Sequence, residues 1–295
     1  MSRKPHPYLL RGLSLLCTLG MLAAFLFTPS TAFSIAAAAS DKHVSGEAPI
    51  HILLIGQDRR EAEDLSRADS ILLCTFQPDT AQVIVTSFLR DLYVPIPGHS
   101  SNRLNAAYAH GGMSLLRQTL EENFEIPIDG CIEADFNQFA QVLDILGGVT
   151  VDLRQDEAET INKTVPGKLT SGTQTLNGNQ ALAYTRIRNL DDDGDFSRTN
   201  RQRKVVAALL SSYQEASLIT ILSVIPKILP MLSTDMEYKQ MISTVLQLLP
   251  MMGSCTITSQ QVPSRDQYSY ETIRGMAVLT ADLASIRKNL KETIR

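Results

Sequence analysis

"DSILLCTFQPDTAQVIVTSFLRD", Asp69 to Asp91, sets two runs of β-branched and aliphatic residues on either side of the polar break Pro78-Asp79-Thr80. Runs of this kind bounded by turn residues predict two strands joined as a hairpin. Just upstream, "PIHILLIGQD" (49–58) is a short apolar run ending at Gly56 and predicts a buried first strand. Downstream, "RLNAAYAHGGMSLLRQTLEENF" (103–124) has leucine and alanine at helical spacing. "DFNQFAQVLDILGG" (135–148) predicts a short helix closed by glycines and feeding a strand, "VTVDL" (149–153). "NGNQALAYTRIR" (177–188) is again helix-compatible, "CTITSQQVP" (255–263) predicts a late strand, and "TADLASIRKNLKETIR" (280–295) an amphipathic final helix. Strands alternating with helices place the chain in the α/β class, as a layered sheet and not a helical bundle.

At 295 residues the chain is long for one domain but accommodates one large α/β unit with attachments. Arg3, Lys4 and Arg11 (within residues 1–12, a short basic cytoplasmic N-terminus) precede "LSLLCTLGMLAAFLF" (13–27) and the small-residue tract "TPSTAFSIAAAAS" (28–40). This is an export signal. Residues 13–39 read either as a retained membrane anchor, leaving the body outside the cytoplasm by the positive-inside rule, or as a signal cleaved after one of the alanines. Residues 40–48 form a small, polar linker, and residues 49–295 the extracytoplasmic domain.

Cys17 lies in the apolar segment, which leaves Cys74, Cys131 and Cys255 for the exported body, an odd number that cannot pair completely. Cys74 reads as a buried small hydrophobe, and a Cys131–Cys255 bridge stays open. The tract 205–253 is rich in Leu, Ile, Val and Met and broken by Pro226, Pro230 and Pro250. It reads as a pair of core helices with proline stops, or as an adaptable apolar wall around a lipid tail.

The charge is concentrated. "RIRNLDDDGDFSRTNRQRK" (186–204) holds six cations and four carboxylates against a chain total of −4, so the remaining residues are net −6. A single basic patch on an acidic chain argues against nucleic-acid binding. Asn189, Asp191, Asp193 and Gly194 mimic the start of a calcium loop, but position twelve is Asn200 and not the bidentate glutamate. Arg186 and Arg188 alternate, while Arg198 and Arg201 sit three apart at a helix start. Like charges about 4 Å apart repel by roughly 4 kcal/mol at an effective dielectric of about 20, so converging guanidinium groups call for an anion between them. Arginine's fork matches phosphate oxygens. Further charges abut apolar runs: Asp58 after the first strand, Arg67 and Asp69 before the second, Arg90 and Asp91 after the third. Asp58 and Asp69 beside arginines suggest Mg2+ held by carboxylates and phosphate oxygens; Arg67 with Asp69 reads equally as a structural ion pair.

These stretches, "LLIGQDRR", "SRADSILL", "SFLRDLYVPIPG", "NRLNAAYAHGG", "VLDILGGVTVDL", "LNGNQALAYTRIR" and "DFSRTNRQRKV", occur in the order and approximate spacing of the LytR-CpsA-Psr family of cell-wall enzymes, and the chain resembles that family over about residues 48 to 210. The resemblance implies a membrane-anchored α/β domain with a mixed central β-sheet flanked by helices on both faces. It also implies transfer of a glycopolymer such as a teichoic acid or capsule from a polyprenyl pyrophosphate carrier to peptidoglycan, through a phosphodiester, with Mg2+; no protein partner is implied. On these residues, Asp58 and Asp69 would bear the metal, Arg67, Arg90, Arg186, Arg188, Arg198 and Arg201 would clamp the pyrophosphate, and Gln202 would orient a phosphate or the acceptor. Asp91 or Asp69 would take the hydroxyl proton. The chain departs from the family in having Leu89 in place of a frequent proline, and Arg103-Leu104 in place of lysine-isoleucine. Pyrophosphate hydrolysis and non-catalytic binding of a phosphate lipid by a wall regulator are the rival readings.

Overall fold

The computed structural model describes residues 48–57, 67–190, 194–214, 216 and 218–294. The apolar segment 13–39, Asp58 and Asp191–Asp193 lie outside the described residues. No described helix is long and apolar enough to cross a membrane.

The opening hairpin forms as its pattern predicts. β1 (Ile50–Gln57) pairs antiparallel with β2 (Ala68–Gln77), and β2 with β3 (Gln82–Phe88), setting Leu72 opposite Ser87. A small hairpin of β4 (Tyr93–Ile96) and β5 (His99–Arg103) leads into α1 (Leu104–Phe124). The expected single helix is in fact two pieces, because Gly112 sits at φ +62°, ψ −152°, a conformation open to glycine and disfavoured for other residues. β6 (Gly130–Asp135) runs parallel to β1, and α2 (Phe136–Ile145) starts on a capping box of Asp135 and Gln138. β7 (Val149–Leu153), α3 (Gln155–Thr164) and β8 (Gly172–Leu176) follow. Among the described residues β7 pairs only with β8, as a ribbon separate from the main sheet.

α4 (Gly178–Thr185), α5 (Asp195–Ser212), α6 (Leu218–Ile228), the two-residue β9 (Ser233–Thr234) and α7 (Tyr238–Met252) precede β10 (Thr256–Val262). A hairpin of β11 (Tyr268–Ile273) and β12 (Met276–Ala281) and then α8 (Leu283–Ile294) end the described chain. The six-stranded sheet runs β10-β3-β2-β1-β6-β9, parallel at β10/β3 and β1/β6 and antiparallel elsewhere. It is the mixed sheet with helices on both faces that the resemblance implies.

Alternation along the strands divides the core. Leu53, Ile55, Ile71, Leu73, Ile84 and Phe88 face Leu116, Leu120 and Phe124 of α1 and Ile286, Leu290 and Ile294 of α8. On the other face, Ile52, Cys74, Phe76, Val83 and Val85 meet Val206 and Leu210 of α5 and Met241, Leu248 and Met251 of α7. A third cluster joins α2, α3, α4, α5 and the β7–β8 ribbon through Leu143, Val151, Ile161, Ala181, Tyr184 and Val205. Cys74, Cys131 and Cys255 are separate buried thiols, so the open Cys131–Cys255 bridge does not form.

The apolar tract after Lys204 is less buried than a pair of core helices would be. Among the described side chains of α6 none is buried, and Ile219 is 77% exposed; in α7 only Met251 is buried, while Leu246 is 43% exposed. α7 lies on the second face of the sheet, with Met241, Leu248 and Met252 packing inward and Leu246 facing out, while α6 packs against α2 with Ile219 facing out, and the two leave a half-open apolar wall.

Two expected results follow from this packing. His51 is buried, pairs across strands with Thr75 through Nδ1···Oγ1 at 2.9 Å, and has its pKa lowered by burial, which outweighs the opposing effect of Asp129. The unfolded chain therefore takes up this proton first as pH falls. Stability from neutral His51 is complete above the ordinary value of about 6.5 and is lost as pH falls towards the lower folded pKa. Thermal melts from pH 7.5 to 5 should show a decline that His51→Gln flattens. Gly178 opens α4 so close to α2 that a Cβ there would stand 1.9 Å from the Ala140 carbonyl oxygen. Because the obstacle is backbone, Gly178→Ala should destabilise by about 1–3 kcal/mol, read as a lower denaturation midpoint with unchanged slope.

Candidate active site

The hairpin register carries Asp69, at the start of β2, and Arg90, just after β3, to the same end of the sheet. Arg90 Nη1 donates to Asp69 Oδ1. Its other nitrogens lie 3.7 Å from Asp91 Oδ2 and 3.5 Å from Asp195 Oδ1. Burial alone would lower its pKa, but the Asp195, Asp69 and Asp91 carboxylates hold it above the ordinary arginine value. Its backbone is equally fixed: the Asn105 N–H donates to the Arg90 carbonyl at 3.0 Å, and the Leu279 N–H of β12 to that of Asp91 at 2.9 Å.

α5 begins here. Asp195 occupies its first turn, and Arg198, one turn on, reaches back to Asp195 at 2.8 Å and donates to the Asp69 carbonyl at 3.1 Å. Arg198 is only 2% exposed. Burial pushes its pKa down to about 10, opposed by Asp195 and reinforced by the neighbouring cations Arg90 and Arg188, so it stays charged at neutral pH. Arg90, Arg188 and Arg198 thus crowd one place, with Asp69 and Asp195 offsetting their repulsion. The predicted anion clamp needs such convergence.

Arg67, Arg186 and Arg188 are exposed and have no carboxylate partner among the described residues; the Arg186 guanidinium lies 4.6 Å over the Phe136 ring. Arg186 and Arg188 share a face, with Ile187 buried between them, and both line a cavity of about 700 Å³. They do so as the helical cap of α4 and the turn after it, not as a strand.

Arg201 is placed differently from Arg198. Its side chain is 3% exposed and lies 2.8 Å from Glu157, with a further bond to the Ile187 carbonyl at 3.3 Å. The half-buried Gln202 keeps a buried Oε1 with no hydrogen-bond partner in the described structure. Arg103, absent from the predicted clamp, joins the network by donating to Asp91 Oδ1 at 3.0 Å. Its place beside the β3 end depends on the β4–β5 pairing, Tyr93 opposite Arg103, which sequence spacing alone does not reveal.

Asp69 retains partial exposure beside these arginines. Among the described residues no group of three or more His, Cys, Asp or Glu is placed to hold a metal. Divalent magnesium suits such a setting, since it is usually bound by one or two carboxylates with the rest of its ligands from phosphate oxygens and water.

The sequence profile of the LytR_cpsA_psr family matches residues 25–293. The polyisoprenyl-teichoic acid–peptidoglycan teichoic acid transferase TagU of Bacillus licheniformis is 37% identical over 174 residues, 58% of this chain and 55% of the relative. The matched region therefore spans about half the length of that curated relative. Among solved structures, TagT bound to LIIa-WTA is similar with a TM-score of 0.68 at 29% identity, covering 87% of this chain and 95% of that one. The protein YwtF (TagT) with bound octaprenyl pyrophosphate lipid is similar with a TM-score of 0.64 at 27% identity and the same coverages. With the profile running across nearly all of the described domain, this chain belongs to the LytR_cpsA_psr family.

Proposed function

We propose that the chain is a phosphotransferase that moves a glycopolymer from a polyprenyl pyrophosphate carrier to peptidoglycan. The observation that carries this reading is the layout of α5. Its first turns hold Arg198 in the arginine–aspartate network, and Val206 and Leu210 pack into the methionine-rich cluster under α7. Eight residues of helix separate Arg198 from Val206, about 12 Å. One helix thus links a cationic site suited to a pyrophosphate with a half-open apolar wall suited to a polyprenyl tail. The resemblance to transferase TagU and to TagT with octaprenyl pyrophosphate supports the same assignment.

In this reading a peptidoglycan hydroxyl attacks the glycan-proximal phosphorus, a new P–O bond forms, the bridging P–O bond breaks and polyprenyl phosphate leaves. Arg90, Arg198, Arg186, Arg188 and Arg67 bind the phosphate oxygens and stabilise the charge that shifts onto the leaving group. As the phosphates enter, they displace the Asp69 and Asp195 carboxylates as partners of Arg90 and Arg198. Asp91 or Asp69 accepts the hydroxyl proton. Arg201, turned to Glu157, holds α5 against α3, and Gln202 offers its unpartnered carbonyl to a hydroxyl of either substrate. Asp69, with Asp58 one residue beyond β1, would hold Mg2+, which supplies further neutralisation of phosphate charge when bound. Residues 13–39 would anchor the chain with this site outside the cytoplasm.

Mass spectrometry of the full chain purified from membranes in detergent tests the carrier assignment. Polyprenyl phosphates should copurify and be depleted in Arg198→Ala; a preparation free of polyprenyl lipid contradicts it.

A further inference from the structure

Arg203 differs from the other enclosed arginines of α5. It is 7% exposed, yet no carboxylate among the described residues faces it: Nη1 donates to Ser87 Oγ, Nη2 to Asn200 Oδ1 at 3.3 Å, and the buried Nε has no partner among them. Burial alone acts on its pKa, lowering it to about 10, whereas Arg198 and Arg201 each have an acid. A buried cation with only neutral partners is costly unless something anionic completes it.

Arg203 forms the inner wall of a cavity of about 390 Å³ between α5, the end of β10 and α8. None of the described side chains that line it is acidic; Gln260, Gln261, Asn289 and Thr293 supply amides and a hydroxyl, and Arg265 stands at the exposed side. The two arginines suit an oxyanion. The amides and the hydroxyl both donate and accept, and a bare anion has no protons for the acceptors. The ligand therefore carries hydroxyl groups beside its charge.

We infer that this cavity is a second anion site, which binds a phosphorylated polyol or sugar through Arg203 and Arg265. Ser87, which holds Arg203, precedes Arg90 by three residues on the same strand end, so the cavity adjoins the arginine–aspartate network without sharing its side chains. A phosphorylated polyol reaches such a site either free, as a monoester, or as an internal diester unit of a polymer. The site stands whether or not the proposed transfer reaction does.

Isothermal titration of the detergent-solubilised full chain with inorganic phosphate, glycerol 3-phosphate and glycerophosphoglycerol tests it. Glycerol 3-phosphate or the diester should bind more tightly than inorganic phosphate; tighter monoester binding assigns a free or terminal ligand, tighter diester binding an internal polymer unit. Arg265→Glu, on the surface, and Arg203→Lys, which keeps the charge, should each weaken one component of the isotherm by at least about tenfold, the scale of one charge-assisted hydrogen bond. Arg90→Ala should leave that component intact. If neither cavity variant changes the isotherm while both keep the wild-type melting temperature, the inference is overturned. Equal affinity for phosphate and both polyol esters overturns the polyol assignment. If Arg90→Ala alone is silent, the cavity stands and the arginine–aspartate network takes none of these three ligands.

Discussion

Glu157→Ala is expected to destabilise the fold by about 3–5 kcal/mol, on the order of 10 °C in melting temperature. Arg201 and Glu157 meet at 2.8 Å with side chains only 3% and 4% exposed. Removing the carboxylate takes from the buried Arg201 guanidinium the acid it meets between α5 and α3, where water cannot replace it. The same substitution deletes the α3 cap, since Glu157 Oε2 accepts from the Arg154 N–H at 3.0 Å. Glu157→Gln keeps shape and cap but not charge, and should fall between. The double variant Glu157→Leu/Arg201→Met, which removes both charges and fills their volume, should recover most of the loss. Denaturant titration of the four proteins decides the matter. A Glu157→Ala variant within about 1 kcal/mol of wild type, the loss usual for a solvent-exposed ion pair, means that the pair does not hold α5 to α3.

The second large effect is on turnover. Arg90→Ala should lower the transfer rate by about 10²–10³-fold, the usual loss for one preorganised donor aimed at developing charge. Arg90 touches Asp69, Asp91 and Asp195, and its side chain is 20% exposed, so its removal strands no buried cation. Stability should therefore move far less than rate. Three carboxylates left facing one another should also repel the phosphates, so that carrier affinity and rate fall together. Arg90→Lys restores charge without the fork and should recover only part of the rate. An Arg90→Ala protein that turns over at the wild-type rate removes Arg90 from the chemistry.

How far the sequence leads can be traced through particular residues. The β2–β3 hairpin is readable because both strands are apolar runs and the break between them is Pro-Asp-Thr. With the hairpin comes the meeting of Asp69 and Arg90. Arg198 is readable from helical spacing, and Asp195, three residues before it, proves to partner two arginines. Of the β4–β5 and β7–β8 ribbons only β7 is readable: β5 is His-Ser-Ser-Asn-Arg and β8 Gly-Thr-Gln-Thr-Leu, mostly polar and short, held by pairing rather than by a buried face. Nothing local shows that Arg201 turns away to Glu157, because its partner lies 44 positions earlier. The apolar tract misleads in one reading because composition reports hydrophobicity and not coverage: α6 is apolar almost throughout, yet no described part of the fold closes over it.

Mixing the full chain in lipid vesicles with a polyprenyl-pyrophosphate-linked glycan, a peptidoglycan oligomer and Mg2+, and following the products by mass spectrometry, tests the central claim most directly. The account predicts one phosphodiester-linked glycan on peptidoglycan for each polyprenyl phosphate released, with both products reduced in parallel in Arg90→Ala. Polyprenyl phosphate released with the glycan phosphate free in solution, and none on peptidoglycan, would contradict it.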